Sequence, residues 1–189
     1  MELSSRILKL LAVLFPIVAY SAIFISIAFA PWFSWYENAL SDLGAYHATA
    51  LIFNGGLIVS GFIYAIYSLG LLSYFRHLMG KIGAMILLID AISLSLVGVF
   101  PETVGRLHGL FAVLYFILFP VAFLFLGTFF LKHESNLKYC LISYLFSIIG
   151  LGVWFLPWRT WGISGIAIPE FIASLANTIY IIAITLKLD

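Results

Sequence analysis

Residues 107–131 read LHGLFAVLYFILFPVAFLFLGTFFL, a run of 25 residues without an Asp, Glu, Lys or Arg. About 20 apolar residues are enough for a helix to cross the roughly 30 Å hydrocarbon core of a bilayer. Five further stretches have a similar apolar character, at 10–30, 50–75, 82–100, 139–157 and 168–186. The sequence therefore predicts an all-α fold, a polytopic transmembrane bundle of six helices that forms a single domain over residues 1–189.

The composition agrees with this class of protein. Of the 189 residues, 64% are hydrophobic and only 9% are charged, whereas soluble domains carry about 25% charged residues. The formal net charge is +1 and no run of basic residues exceeds two, so nothing indicates a nucleic-acid partner. We expect a multi-pass protein of the cell membrane whose partners are membrane lipids and, where it forms a homo-oligomer, further copies of itself.

The distribution of basic residues predicts the orientation. Seven of the nine Lys and Arg residues flank the spans on the side of the N-terminus, and only Arg106 and Arg159 lie on the other side. Because cytoplasmic loops are enriched in Lys and Arg, both termini are predicted to be cytoplasmic. All five tryptophans fall at the opposite boundary, as expected for an interfacial aromatic belt.

Polar residues cluster before and within the second span. Ser41 and Asp42 precede it, and taken alone they are typical of a loop that caps a helix. His47 and Asn54 share one helical stripe within the span and need polar partners. Gly56 forms a small-xxx-small pair with Ser60, which indicates close packing against a neighbouring helix.

The start of the fourth span carries a second group of polar residues. Glu102 and Arg106 stand in the favourable i, i+4 order for an ion pair. Gly105 and Gly109 form a GxxxG pair, which is expected to turn its face toward other helices. His108 shares that face, so the pattern predicts that its side chain points inward near the outer boundary.

Two further spans contain residues that are costly in lipid. Glu170, Ser174 and Asn177 occupy positions i, i+4 and i+7 of the sixth span, and this face is expected to line the bundle interior or a wet cavity. Asp90 lies near the middle of the third span, where an aspartate costs about 2.5–3.5 kcal/mol on insertion scales. Two interpretations remain open: a polar clamp to Asn54 or Asn177, and a proton or ion site.

Several short motifs resemble one family of archaeal and bacterial membrane proteins, known as a domain of unknown function with the number nine-nine-eight. The motifs are the run Ser41–Gly44, the run Phe53–Leu57 followed by Gly61, and Phe100–Glu102 followed by His108. The resemblance is clearest from the second to the fourth span and implies a six-span bundle without an established activity. It also suggests as signature positions Ser41, Asp42, Asn54, Glu102 and His108.

These residues favour an outward-facing polar pocket that binds a lipid headgroup or a metal ion. The ligand-binding set predicted for this pocket consists of His47, Asn54, Asp90, Arg106, Glu170 and Asn177. His47, His108 and Asp42 offer nitrogen and oxygen ligands for a divalent metal such as zinc.

The same pocket is compatible with a lipid-modifying enzyme at the outer leaflet. In that case His108 is the general base, Ser41 the nucleophile, and Asp42 or Glu102 the group that orients the base. Because HExxH and GxSxG motifs are absent from the sequence, the choice between enzyme and binding protein stays open. The alternatives are a small ion-coupled transporter that uses Asp90, and a non-catalytic scaffold that meets a lipid phosphate through Arg106 and Arg159.

Overall fold

The computed structural model describes residues 3–187, which fold almost entirely into helices. Six helices are long and apolar enough to cross a membrane, so the predicted six-helix bundle is confirmed. Their observed ends differ from the predicted ones by at most five residues. The bounds are α1 Ser5–Ala28, α3 His47–Tyr74, α4 Leu78–Val99, α5 Arg106–His133, α6 Leu137–Gly152 and α7 Ala167–Thr185, with a short α2 at Asp42–Ala45.

The six long helices form a closed ring. Each helix packs against its neighbours in chain order, and α7 closes the ring by contacting α1 and α6. Fully buried aromatic residues fill the centre, among them Tyr64, Phe119, Phe123 and Tyr180. The outer surfaces carry large apolar side chains such as Leu51, which is 87% exposed. Such a surface is stable against lipid but not against water.

Hydroxyl groups join neighbouring helices where prolines interrupt the backbone ladder. Pro16 lies inside α1 and Pro120 inside α5. The Ser60 hydroxyl donates to the carbonyl oxygen of Phe15 over 2.8 Å, and Ser147 donates to that of Pro120 over 2.9 Å. The carbonyl groups that lose their helical donor to these prolines are those of Ala12 and Phe116, so the two hydroxyl bonds join neighbouring helices beside the prolines and do not replace the missing backbone bonds.

The small residue Gly56 brings α1 and α3 into direct contact, as its small-xxx-small motif predicts. A Cβ atom at Gly56 would overlap the Cβ of Ala22, whereas one at the preceding Gly55 would meet no atom within 4 Å. The two adjacent glycines therefore form a matched pair for measuring this contact.

We expect Gly56→Ala to destabilise the protein by about 1–3 kcal/mol, because the added methyl group forces the two helices apart. Gly55→Ala should be neutral or slightly stabilising, since alanine is the better helix former. Thermal unfolding of both purified variants in detergent measures the difference. Equal midpoints for the two variants would contradict the close approach of α1 and α3.

The predicted GxxxG contact of the fourth span is wrong. A Cβ at Gly105 or at Gly109 would meet no atom within 4 Å, so neither glycine allows a close approach of another helix within residues 3–187. Gly105 has φ +69° and separates a 3₁₀ turn at Glu102–Val104 from α5. Because this break removes the i, i+4 geometry, the expected Glu102–Arg106 ion pair is not formed within the described chain.

Candidate functional site

The loops at the end of the bundle opposite the termini are bonded to each other. The Tyr36 carbonyl oxygen accepts from the backbone N–H groups of Ser164 and Gly165, both over 2.8 Å. The Asn38 carbonyl oxygen accepts from Ala167 at the start of α7, also over 2.8 Å. A Cβ at Gly165 would collide with the backbone of Asn38, so this approach requires glycine. The loop between α1 and α2, which we call the first loop, and the loop between α6 and α7 therefore form one surface, which we call the rim.

Asp42 organises the first of these loops. One of its carboxylate oxygens accepts from the Asn38 side-chain amide over 2.9 Å and from the Ala39 backbone N–H over 3.0 Å. A carboxylate that accepts two hydrogen bonds holds its loop in one conformation. The loop-capping interpretation of Asp42 therefore describes at least part of its role.

Two of the signature motifs contact each other. The Asn54 amide donates to the carbonyl oxygen of Gly44 over 2.9 Å, and the Thr49 hydroxyl donates to that of Leu43 over 2.6 Å. A side chain at Gly44 would collide with Phe53 and Asn54. Asn54 thus fastens α2 onto α3 at the rim and does not reach Asp90.

A cavity extends from the rim into the centre of the bundle, between α1, α3, α4, α5 and α7. Its volume of about 70 Å³ exceeds the roughly 10–15 Å³ that one water needs. Several waters, or part of a hydrocarbon chain, fit inside. Most of the wall is apolar, and the polar groups that line it are Tyr20, Ser41, Ser60, His108, Tyr115, Glu170, Ser174 and Thr178.

Glu170 joins the first loop to α7 at the top of this cavity. Its carboxylate accepts from the backbone N–H of Leu40 over 2.6 Å, and its side chain is only 7% exposed. Ser174 lines the cavity one turn below, and Asn177 is fully buried beyond it. The polar face of the sixth span is therefore turned into the bundle, as its spacing predicts.

The His108 ring lines the cavity and forms a hydrogen bond through one of its nitrogens. Its Nδ1 lies 2.9 Å from the carbonyl oxygen of Phe100. Since a carbonyl oxygen only accepts, Nδ1 carries a proton, and in the uncharged form of the ring Nε2 is an acceptor. The residue is buried and lines the cavity, which confirms the inward orientation predicted for it.

Polar residues from α2, the turn at Glu102–Val104, α5 and α7 gather at the rim. Partial desolvation raises the pKa of Glu102, and the adjacent Asp42, which can share a proton with it, adds to this effect. Ser41 and His108 have the opposite effect and lower the pKa of Glu102. Glu170 also lies within electrostatic range of Glu102 and Asp42. These five residues, Ser41, Asp42, Glu102, His108 and Glu170, are called the rim cluster.

The raised pKa of Glu102 should make stability depend on pH. The folded state holds its proton above the ordinary value of 4.5, where the unfolded chain has released it. The free energy of unfolding should therefore decrease as the pH rises from that value through the raised pKa. Thermal midpoints recorded across this interval should decrease less in Glu102→Gln, with Glu37→Gln on the exposed loop as the control for one lost charge. An identical slope in Glu102→Gln and the wild type would contradict the coupling.

Other predicted site residues lie elsewhere. His47 is exposed at the start of α3 and does not line the cavity, and both Arg106 and Arg159 are exposed. Among residues 3–187, no three His, Cys, Asp or Glu side chains are placed to hold one metal ion. The predicted metal set of His47, His108 and Asp42 thus stays a prediction that the side-chain arrangement does not support.

Sequence reasoning missed the contribution of α1 and of the aromatic hydroxyls. The Tyr20 hydroxyl lies 3.3 Å from the hydroxyl oxygens of both Ser174 and Thr178 on α7. Tyr115 contributes to the cavity wall from α5. A tyrosine in an apolar span gives no signal by itself, because tyrosines are common there. Only the polar face of α7 could have suggested that a polar side chain of another helix lies opposite it.

The comparisons with known proteins support the resemblance. No curated protein and no solved structure matches the chain. The family model described as "Protein of unknown function (DUF998)" matches residues 13–187, which include most of α1 and all of the other five long helices. The chain therefore belongs to this family.

Proposed function

We propose that the protein binds an amphipathic membrane lipid, with the polar group of the lipid at the rim cluster and part of a hydrocarbon chain in the cavity. The observation that carries this proposal is the cavity itself, since its wall is apolar while buried Ser41, His108 and Glu170 lie at one end. Binding sites for small molecules commonly combine an apolar wall with a few converging polar groups.

The chemistry of the rim cluster narrows the class of lipid. Three of its five members are carboxylic acids, and no Lys or Arg lines the cavity. A phosphate would meet carboxyl groups and no cation there, whereas hydroxyl and ammonium groups can donate to the carboxyl oxygens and to Nε2 of His108. We therefore favour a lipid whose polar group carries hydroxyl or amine donors over one recognised through its phosphate.

The charge distribution supports a rim that faces away from the cytoplasm. Seven basic residues flank the helices at the end of the bundle where the two termini lie. Only Arg106 and Arg159 lie at the opposite end, which carries the rim. All five tryptophans belong to the rim end as well. In this orientation the cavity would receive its ligand from the outer leaflet.

Filling the cavity should remove the bound lipid. Ala112 lines the cavity wall, and its neighbour Val113 is 56% exposed on the outer surface of α5. We expect Ala112→Phe to retain at least about tenfold less lipid than the wild type, which corresponds to about 1.4 kcal/mol. Val113→Phe, which adds the same ring to the outer surface, should retain the wild-type amount.

Mass spectrometry of lipids that remain after gentle detergent extraction measures this effect. Hydroxyl- or amine-bearing lipids should be enriched over the bulk membrane in the wild type. Equal retention by the Ala112→Phe and Val113→Phe variants, or a wild type that retains no lipid, would overturn the proposal.

A second candidate function, chemistry on the bound lipid, is favoured by the state of His108. With Nδ1–H held by the Phe100 carbonyl, Nε2 could accept the proton of Ser41 as the serine oxygen attacks a lipid ester carbonyl, and return it to the departing alcohol. Incubation with membrane lipids should then yield new lipid masses that Ser41→Ala and His108→Asn no longer produce. No change in lipid mass with the wild type would leave binding alone.

A further inference from the structure

A buried carboxyl group lies below the cavity. Asp90 on α4 has no exposed surface, and neither of its oxygens forms a well-aligned hydrogen bond in the described part of the chain, although the Tyr64 hydroxyl and the Phe119 backbone lie close to them. The side-chain nitrogen of Asn177 on α7 is buried and unpartnered as well. Buried polar groups are nearly always satisfied, so two unsatisfied groups in one region require an explanation.

The groups that face Asp90 are neutral. Two phenols interact with it, Tyr64 from α3 and Tyr115 from α5. The Tyr64 hydroxyl also donates to the side-chain oxygen of Asn177 over 3.4 Å. Within residues 3–187, Asp90 forms no ion pair, because the basic residues flank the two ends of the bundle.

An ionised carboxylate in such a place would be very costly. An isolated charge that moves from water into an apolar interior loses its hydration, and in practice the group takes up a proton instead. A bound cation is the other way to neutralise it, but hard cations require about six oxygen ligands. Here a single carboxylate is available, and the Asn177 oxygen already accepts from Tyr64.

We propose that Asp90, Tyr64, Tyr115 and Asn177 form a proton-binding site, in which the Asp90 carboxyl group holds a proton that exchanges with water through the cavity. Tyr115 provides the connection, because it lines the cavity and also interacts with both Asp90 and Asn177. The site goes beyond lipid binding and does not require it, since only water has to reach the cavity.

Such a site gives the bundle a means to link proton uptake to occupancy of the cavity. A hydrocarbon chain that displaces the water next to Tyr115 would isolate Asp90 from solvent, and an empty cavity would reconnect it. Ion-coupled carriers depend on an intramembrane acid of this kind.

Infrared spectroscopy of the purified protein tests the proposal. The wild type should show the carbonyl band of a protonated carboxyl group, shifted in D₂O. This band should be lost in Asp90→Asn and displaced in Asp90→Glu, while Asp42→Asn, which changes a rim carboxylate, should keep it. Exchange with D₂O should be slower in Ala112→Phe than in Val113→Phe.

Results that contradict the proposal can be told apart from the expected infrared bands. If Asp90→Asn and Asp90→Glu leave every carboxyl band unchanged, Asp90 is ionised and the proposal is wrong. A band that belongs to Asp90 but never shifts in D₂O indicates a sealed clamp between helices, which also overturns it. If Asp90→Asn does not fold, the D₂O shift in the wild type and the displaced band of Asp90→Glu decide the question. Lipid retention has no part in either outcome.

Discussion

Replacing Glu170 with alanine should weaken the attachment of the first loop to α7 and abolish lipid retention. The Glu170 carboxylate accepts from the buried backbone N–H of Leu40 over 2.6 Å, a contact between residues 130 positions apart. Alanine leaves that N–H group without a partner, which costs about 1–3 kcal/mol. The same change removes one of the polar groups that line the cavity, so we expect a lower unfolding midpoint and loss of bound lipid together.

Glu170→Gln separates the two effects. The glutamine side chain has nearly the same shape, and its amide oxygen can still accept from Leu40. We expect the unfolding midpoint of this variant to stay close to that of the wild type, while retention of a lipid with hydroxyl or amine donors decreases, because an amide N–H₂ group replaces one of the two oxygens that can accept a hydrogen bond. Wild-type stability and wild-type lipid retention in Glu170→Ala would show that the contact does not hold the loop.

The helical framework could be predicted because it depends on the length and composition of apolar runs. The charge-free stretch 107–131 became α5 because a helix is the structure that satisfies its own backbone hydrogen bonds in lipid. The inward face of α7 could be predicted for a related reason. Glu170, Ser174 and Asn177 recur at helical spacing, and the cost of turning them toward lipid leaves one orientation.

The packing details could not be predicted, because they depend on backbone conformation and on distant partners. Gly105 and Gly109 have the spacing of a packing motif, yet Gly105 takes a positive φ and ends a turn before α5 begins. Asn54 is one of the two partners predicted for Asp90, but its side chain donates to Gly44 in the short helix α2, which no periodic pattern in the sequence indicates. His47 is exposed because it is the first residue of α3.

The rim cluster falls between these two cases. The sequence indicated that Ser41, Glu102 and His108 share one side of the membrane, since they all follow odd-numbered spans. It could not show that they converge, because this depends on how the closed ring brings α2 next to the turn before α5. The order of the spans was therefore enough to predict on which side of the membrane these residues lie, whereas the distances between them depend on how the helices pack.

Substitutions at His108 should separate its structural role from its role in the cavity. Asparagine can place its amide N–H near the position of Nδ1 and keep the bond to the Phe100 carbonyl, but it has no atom at the position of Nε2. Glutamine reaches the Nε2 position and gives up that bond. We expect His108→Asn to unfold near the wild-type midpoint yet retain about tenfold less lipid, a loss of about 1.4 kcal/mol in binding. His108→Gln should be less stable by about 0.5–1.5 kcal/mol and keep more of its lipid than His108→Asn.

Thermal unfolding and lipid mass spectrometry on the same preparations measure both quantities. If His108→Asn retained lipid as the wild type does, Nε2 would have no part in binding and His108 would serve only to hold the end of α4 against α5.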